Sequence, residues 1–373
     1  MISTDTSGDT NPYRIAIFFH DLGIGGAERV MLQLAQGFSE SSHPVDLVLA
    51  CAEGPLLSEV PSGVQIVNLK TRRPIEMFLG LIKYLRANRP SVLLSPFEVT
   101  SVIAILAKKI SGMPTRVVIR VSVHLSRNKR TTKWKKILEQ FVISRVYPLA
   151  NGIITVSEGV AKDFALYTRI PLERIKVIYN PVISEQLLKA ADQPVRHRFF
   201  IEGQYPVILG VGRLAEQKDF STLIKAFDIL RKKIPSRLII LGDGEERSSL
   251  EELIRLLGLQ DFVDLPGFDV NPFAFMKQAS VFVLSSKWEG LPGVLIQALA
   301  CGCPVVSTDC LSGPAEILKD GEYGYLVPVG DARAIAEAME VILRGNIRKS
   351  PQSWLEQFTI DAVIPQYKAV FGI

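Results

Sequence analysis

The stretch Ser285-Ser286-Lys287-Trp288-Glu289-Gly290-Leu291-Pro292-Gly293-Val294-Leu295-Ile296-Gln297, with its continuation to Glu316, decides the fold. Just before it, Val281 to Leu284 is an apolar run short enough for a strand buried on both faces of a parallel sheet. Pro292 and Gly293 open a helix that runs through Ala300 and stops at Gly302, with Pro304 beyond. Val305-Val306-Ser307 is the next strand, and Ser312-Gly313-Pro314 opens another helix with Glu316 in its first turn. Glu289 therefore sits in a loop at the carboxyl end of a strand, beside a helix N-terminus. Parallel α/β sheets bind ligands there, and helix N-termini favour anions.

The same alternation extends in both directions. Arg14 to Phe19, Val45 to Cys51, Val64 to Leu69, Ser91 to Leu94, Thr115 to Val121, Ile153 to Val156 and Arg174 to Tyr179 read as strands separated by helices. Ser157 caps the helix that follows the sixth of them. A charged stretch without a clear period, 182–205, reads as a linker. Strands resume at Val207 to Val211, Leu238 to Gly242, Phe262 to Leu265 and Gly324 to Val327. A helix from Asp331 to Leu343, a polar break and a final helix from about Ser353 to Val370 complete the pattern. A chain of 373 residues exceeds what one hydrophobic core usually spans. The expectation is an α/β protein with two doubly wound domains, 1–181 and 206–351, joined by the linker 182–205 and followed by a C-terminal helix in 352–373.

Composition narrows the function classes. A hydrophobic content of 47% excludes disorder. Four cysteines, three of them between Cys301 and Cys310, fit neither a disulfide framework nor a zinc-ligand spacing; they read as buried small residues in a reducing compartment. Met1 to Asn11 is polar and does not resemble a signal peptide, and no apolar run reaches the roughly 18 residues of a membrane span. The reading is cytoplasmic. Net charge is +5, but from Val99 to Leu138 ten Lys or Arg residues occur without a single Asp or Glu, which points to an anionic partner. Within that segment Trp134, Ile137, Leu138 and Phe141 share a helical face behind the basic run from Arg127 to Lys136. A helix over 127–141 of this kind either lies in an anionic membrane surface or packs its apolar side on the core. No nucleic-acid-binding motif accompanies the charge, so nucleic acid is not expected.

With those residues in view, the segment from Glu289 to Glu316 resembles the donor-binding signature of the retaining nucleotide-sugar glycosyltransferases of family 4, which have the GT-B architecture. That family shows Glu, seven residues, Glu, a small-residue helix and a Cys-Gly-x-Pro-Val turn. Here Glu289 stands seven residues before Gln297, an amide in place of the second acid, while Ala298 to Val306 keeps the remainder. Gly25-Gly26-Ala27-Glu28-Arg29 is similar to the family's Gly-Gly-x-Glu-Arg loop, and Arg213 and Lys218 match its Gly-Arg…Lys motif. Without the resemblance, Gly25 and Gly26 read either as a phosphate-approaching loop or as a tight turn.

The resemblance implies two Rossmann-like domains facing across a cleft, the C-terminal one holding a nucleoside-diphosphate sugar and the N-terminal one presenting the acceptor. It implies Glu289, Arg213, Lys218 and His124 as the catalytic group, with Gly25, Gly26, Gly212, Phe268, Leu291, Pro292, Gly293 and Gln297 around the donor. Arg213 and Lys218 would stabilise charge that grows on the leaving nucleoside diphosphate. Phe268 either stacks on the base or belongs to the core. The family histidine at the end of its strand corresponds to His124, with Arg120 as the other occupant of that place. At Gln297 the ribose hydroxyls would lose a charge-assisted hydrogen bond, typically about 1.5–3 kcal/mol, while the amide carbonyl still accepts. No Asp-x-Asp motif occurs, so neither a metal nor another cofactor is expected.

Retention by front-face substitution, with the leaving phosphate taking the acceptor proton, needs no protein nucleophile. The implied donor is a UDP-sugar ahead of GDP-mannose, and the acceptor a glycan or polyprenyl-diphosphate-linked glycan. Such acceptors would place the protein peripherally on the inner face of the plasma membrane. Two alternatives use the same architecture, a nucleotide-sugar epimerase or hydrolase and a non-catalytic binding subunit. Gln297 favours the latter, whereas Glu289, Arg213 and Lys218 oppose it.

Overall fold

A computed structural model describes residues 13–23, 25–127 and 133–373. The polar N-terminal stretch and the side chains of the basic run from Arg127 to Lys136 lie outside the described residues. Apolar pentads such as Ile15–Phe19 are buried at every position, as strands with helices on both faces must be. Seven strands form the first sheet, with the edge strands partly exposed: β1 (Ile15–Phe19), β2 (Val45–Leu49), β3 (Val64–Asn68), β4 (Val92–Ser95), β5 (Arg116–Val121), β6 (Gly152–Thr155) and β7 (Ile175–Val177). Their order is β3-β2-β1-β4-β5-β6-β7, all parallel. Helices α1 (Gly26–Glu40), α2 (Pro74–Asn88), α3 (Glu98–Ser111), α4 (Lys133–Val146) and α5 (Glu158–Thr168) connect them.

The second sheet holds β8 (Val207–Val211), β9 (Arg237–Leu241), β10 (Val263–Gly267), β11 (Val281–Leu284), β12 (Val305–Thr308) and β13 (Tyr325–Val327), in the parallel order β10-β9-β8-β11-β12-β13. Two short helices precede it, α6 (Glu185–Ala191) and α7 (Arg198–Glu202); α8 (Phe220–Arg231), α9 (Arg247–Leu256), α10 (Pro272–Gln278), α11 (Gly293–Ala300), α12 (Pro314–Ile317) and α13 (Ala332–Leu343) surround it. Alternation along its strands sorts the core. Ile208, Leu238, Ile240, Val281 and Val283 pack with Leu223, Phe227 and Met339 of α8 and α13. Leu209, Ile239, Phe282 and Leu284 face the other way, into an apolar cluster that continues into the first lobe. In each sheet the strand order reverses beside its first strand, at β1/β4 and at β8/β11. Crevices at the carboxyl ends of the strands open at such points.

The stretch 182–205 is not an irregular linker. Ser184 and His197 cap α6 and α7, with side chains accepting from Leu187 N–H and Phe199 N–H. Asn271 Nδ2 donates to the Ala190 carbonyl, His197 Nε2 lies 3.1 Å from Asp264 Oδ2, and His197 packs edge-on to Phe275. These contacts fasten the segment to the second lobe, and helices this short do not display a period.

The chain crosses between lobes a second time after α13. The expected single helix is broken into α14 (Gln352–Leu355), a 3-10 turn (Glu356–Phe358) and α15 (Ile360–Phe371). Thr359 restarts it with extended backbone and a side-chain bond from Ala362 N–H. The two crossings touch: Ile183 N–H donates to the Phe358 carbonyl, and the Tyr179 and Phe358 rings are 5.3 Å apart. Beyond this hinge α15 lies on the first lobe, where Phe38 of α1 meets Tyr367 and Phe371 at ring distances of 6.1 and 5.3 Å. Gly37 permits this approach, since a Cβ there would stand 2.7 Å from Ile360 Cγ1 and Ile364 Cγ1.

Gly37→Val should therefore lift α15 from α1. Overpacking of this kind costs about 1–3 kcal/mol. A lower urea midpoint at unchanged slope is the expected result; an unchanged midpoint would show that α15 does not depend on this contact.

Candidate donor site and cleft

The loops after β8 and β11 meet because those strands are neighbours at the reversal of strand order. Gly212 leaves β8 at φ +157, and a Cβ there would stand 3.1 Å from Lys218 Cε, so the lysine stem lies across the glycine. Lys218 Nζ reaches Glu289 Oε1 at 2.6 Å. Ser286 Oγ donates to the same oxygen at 2.7 Å, and Gln217 Nε2 donates to the Trp288 carbonyl at 2.9 Å. Glu289 is only 8% exposed, so its charge is desolvated but answered by several donors. Arg213, one residue from Gly212, is exposed and makes no hydrogen bond or ion pair among the described residues. A buried carboxylate, a paired ammonium and a free guanidinium thus share one end of the second sheet.

Leu291 and Pro292 are buried, and Gly293 begins α11, the helix start expected from the sequence. Gln297 is half-buried on α11, and its amide makes no hydrogen bond among the described residues. Phe268 is 64% exposed after β10, which removes it from the core. In the first lobe Gly25 caps α1, and the Glu28 carboxylate folds back over it; a Cβ on Gly25 would lie 2.1 Å from Glu28 Oε2. Burial, with the Asp21 carboxylate as a smaller cause, holds Glu28 above the ordinary carboxyl range against a lowering backbone hydrogen bond. Among the described residues, nothing outside its own turn of helix lies within 4 Å of where a Gly26 Cβ would be.

The lobes touch along this cleft. A Cβ on Gly290 would stand 2.1 Å from the Ser122 carbonyl oxygen, and one on Gly159 would stand 2.2 Å from Ser312 Cβ. Ser157 Oγ donates to the Gly290 carbonyl at 2.9 Å. Glu316, on α12, accepts from the backbone N–H groups of Glu158 and Gly159 at 2.8 and 2.9 Å. Its carboxylate thereby caps α5 from the opposite lobe, with the helix dipole in its favour. His124, after β5, reaches Ser312 Oγ at 2.6 Å. Arg120 does not share that place. It lies within β5, is 2% exposed, and bonds through Nη2 to Asn180 Oδ1 beside the hinge. Between the lobes a cavity of about 540 Å3 opens, with Lys162 on one wall and Lys287, Asp309 and Ser312 on the other.

Cys301, Cys303 and Cys310 are buried, and their thiols are pushed up mainly by that burial, to about 11 for Cys301 and about 12 for Cys310. They pack as small apolar residues. Among the described residues no group of three or more His, Cys, Asp or Glu side chains is placed to hold a metal ion, and no helix is long and apolar enough to cross a membrane. Sequence reasoning gave no role to Ser286, Gln217, Asp163 or Ser312 and did not foresee that Glu316 reaches across the cleft. Those pairings join loops that only the fold brings together.

Comparison with known proteins agrees with this geometry. The family description "Glycosyl transferases group 1" matches residues 193–357, and "Glycosyltransferase Family 4" matches residues 24–186. The chain is 32% identical, over 90% of its length and 92% of the relative's, to the N-acetylgalactosamine-N,N'-diacetylbacillosaminyl-diphospho-undecaprenol 4-alpha-N-acetylgalactosaminyltransferase of Campylobacter jejuni. It belongs to the group 1 glycosyltransferases of family 4. A second C. jejuni relative, 26% identical over 90% of each chain, is the GalNAc-alpha-(1->4)-GalNAc-alpha-(1->3)-diNAcBac-PP-undecaprenol alpha-1,4-N-acetyl-D-galactosaminyltransferase. Among solved structures, Anabaena HepE in complex with UDP superposes with a TM-score of 0.77 at 19% identity, over 96% of this chain and 99% of that one. The lipopolysaccharide outer core galactosyltransferase WaaB superposes at 0.75 and 20% identity, over the same shares. The fold of this glycosyltransferase is GT-B.

Glu316→Ala should uncap α5. Two charge-assisted hydrogen bonds are lost, each worth about 1.5–3 kcal/mol. The amides of Glu158 and Gly159 should exchange with solvent about tenfold faster or more, while amides in β8 and β11 keep their protection. Unchanged exchange at both would mean that the contact does not hold the lobes in solution.

Proposed function

We propose that the protein transfers a sugar, with retention, from a nucleoside-diphosphate sugar to a lipid-linked glycan. The observation that carries this reading is the convergence of Arg213, Lys218 and Glu289 at the carboxyl ends of the neighbouring strands β8 and β11. A free guanidinium and an ammonium with donors to spare suit the two phosphates of a leaving nucleoside diphosphate, whose charge grows in the transition state. Gly26, with open space around it at the start of α1, offers backbone N–H groups from the facing lobe. Phe268 is exposed enough to stack on a base, and Gln297 would take the ribose through its carbonyl. Leu291, Pro292 and Gly293 shape the loop between them. These cations and helix termini would do the work that a divalent ion does elsewhere. A UDP-sugar is the favoured donor, with GDP-mannose second; the complex of HepE with UDP supports the first. Both named C. jejuni relatives act on undecaprenol-linked glycans, which supports an acceptor of that class.

Arg213 gives the cleaner test of the phosphate assignment. Removing Lys218 would strand the buried Glu289 carboxylate and disturb folding as well as chemistry. Arg213→Ala should lower turnover about 100- to 1,000-fold with UDP-sugar donors, with little change in melting temperature. The same assay in EDTA should keep its rate. Near-normal turnover of the variant, or a rate lost in EDTA and restored by a divalent ion, would overturn the corresponding part of the reading.

A membrane position belongs to the same proposal. Ile137, Leu138 and Phe141 of α4 are more than half exposed, so this face does not pack on the core. A groove of about 540 Å3 beside them is lined by Ile137 and Phe141 together with Arg145, Arg169 and Arg174. Apolar side chains flanked by arginines match the interface of an anionic bilayer. Replacing Arg145, Arg169 and Arg174 together by Gln should weaken flotation with phosphatidylserine-containing vesicles about 100-fold, at about 1 kcal/mol per cation. Donor hydrolysis should be unaffected. Wild-type binding should also fade as salt shortens the Debye length to about 8 Å and below. Equal flotation of both proteins, or none at low salt, would favour a soluble acceptor.

A further inference from the structure

Asp163 of α5, His124 after β5 and Ser312 before α12 form a continuous chain across the cleft. Asp163 Oδ1 lies 3.5 Å from His124 Nδ1, and both side chains are largely buried, at 13% and 8% exposure. The same carboxylate accepts the N–H and the hydroxyl of Ser126. Burial alone would raise the Asp163 carboxyl, but hydrogen bonds from His124 and Ser126 hold it below the usual range. An ionised carboxylate 3.5 Å from Nδ1 favours a proton there, because a bare ring nitrogen would set a lone pair against an anion. In the neutral ring the other nitrogen, Nε2, is then an acceptor. It points at Ser312 Oγ, 2.6 Å away, and that oxygen stands 3.2 Å from the carbonyl oxygens of Glu289 and Gly290. His124 therefore presents Nε2 directly beside the Glu289 loop. Ser312 meets it from a left-handed backbone, φ +54, that a non-glycine residue rarely adopts.

We propose that Asp163 is a positioning residue that fixes His124 in the Nδ1–H form, so that Nε2 accepts a hydrogen bond from a sugar hydroxyl in the cleft. In this structure Ser312 Oγ occupies that place, with the Glu289 and Gly290 carbonyls as rival acceptors for its one proton, and a substrate hydroxyl takes its place in turnover. Hydroxyl for hydroxyl, the exchange leaves the ring's hydrogen-bonding capacity filled in both conditions. The Asp163–Nδ1 contact is long for a hydrogen bond and tightens when substrate orders the ring, as such contacts commonly do. The opposite tautomer would have Nε2–H donate to Ser312, whose own hydroxyl would turn to a carbonyl. Such a histidine would offer a sugar only a donor. This inference rests on the proposal that the cleft takes sugars, but the state of the ring can be measured without any substrate.

The test reads the ring nitrogens by two-dimensional 1H–15N NMR of the full-length protein at about pH 8, above the ordinary histidine pKa of about 6.5. His124 is assigned among four histidines by comparison with His124→Gln. The expected wild-type pattern is the neutral Nδ1–H form. Asp163→Asn, whose amide can donate to Nδ1, should move the proton to Nε2 and lower kcat about ten- to a hundredfold, with KM for the donor little changed. Asp163→Glu, which keeps the carboxylate, should restore the tautomer and much of kcat, so a variant that merely folds poorly is recognised. Ser312→Gly, which also suits the left-handed backbone, should leave the tautomer as it is. A protonated Nε2 in the wild type, a switch in Ser312→Gly, or an Asp163→Asn variant with altered tautomer and wild-type kcat would each overturn the proposal. Absence of transfer by the wild type with every donor would count against the glycosyltransferase reading of the cleft instead, while the ring pattern still decides what Asp163 does.

Discussion

The ion pair between Lys218 and Glu289 is the constraint on which the carboxyl-terminal edge of the second sheet rests. Both charges are largely withdrawn from water, and desolvating a carboxylate is tolerable only when its oxygens are answered in good geometry. Lys218 and Ser286 answer Oε1 at 2.6 and 2.7 Å, and Gln217 Nε2 stands 3.5 Å from Oε2. Those partners come from two loops more than sixty residues apart, so the arrangement needs a scaffold that leaves neither loop free to drift. The adjacency of β8 and β11 supplies it, with the lysine stem held across Gly212. Rigidity of this kind serves chemistry in which charge appears briefly on a leaving group, because donors already fixed in place need no reorganisation.

The same economy governs the contact between lobes. Gly290 and Gly159 let backbone of one lobe approach the other at distances that any side chain would forbid. Around these close approaches, Ser157, Glu316 and His124 each span the cleft with a polar bond. No apolar side chain mediates those three bonds. Hydrogen bonds of this sort are exchangeable with water and with substrate hydroxyls.

Much of this was legible in the sequence because buried parallel strands announce themselves as short apolar runs. Val207–Val211 and Val281–Leu284 have the bounds read for them, and the Pro292–Gly293 helix start and the Gly302 stop fall where local chemistry puts them. The sheets, their helices and the membership in family 4 followed. What was not legible depends on long-range pairing. The helices α6 and α7 are too short to show a period and owe their form to caps at Ser184 and His197. The break before α15 rests on Thr359, one residue among several polar ones. Phe268 could be removed from the core only by its exposure. Asp163 stands on an amphipathic helix 39 residues beyond His124, and nothing local marks it as a partner.

The placement of α15 has a consequence for how the protein is made. Its contacts with Phe38 and Gly37 close over α1, yet they come from residues 360–371, more than three hundred positions later. During synthesis the first lobe must wait, with that face of α1 uncovered, until the entire second lobe has left the ribosome. At about 5–20 residues per second the wait is some tens of seconds. Contacts this distant in sequence are also slow to find once available. An otherwise ordinary apolar groove is thus a nascent-chain liability, a surface for chaperones or for misassembly, until the far end of the chain arrives to cover it.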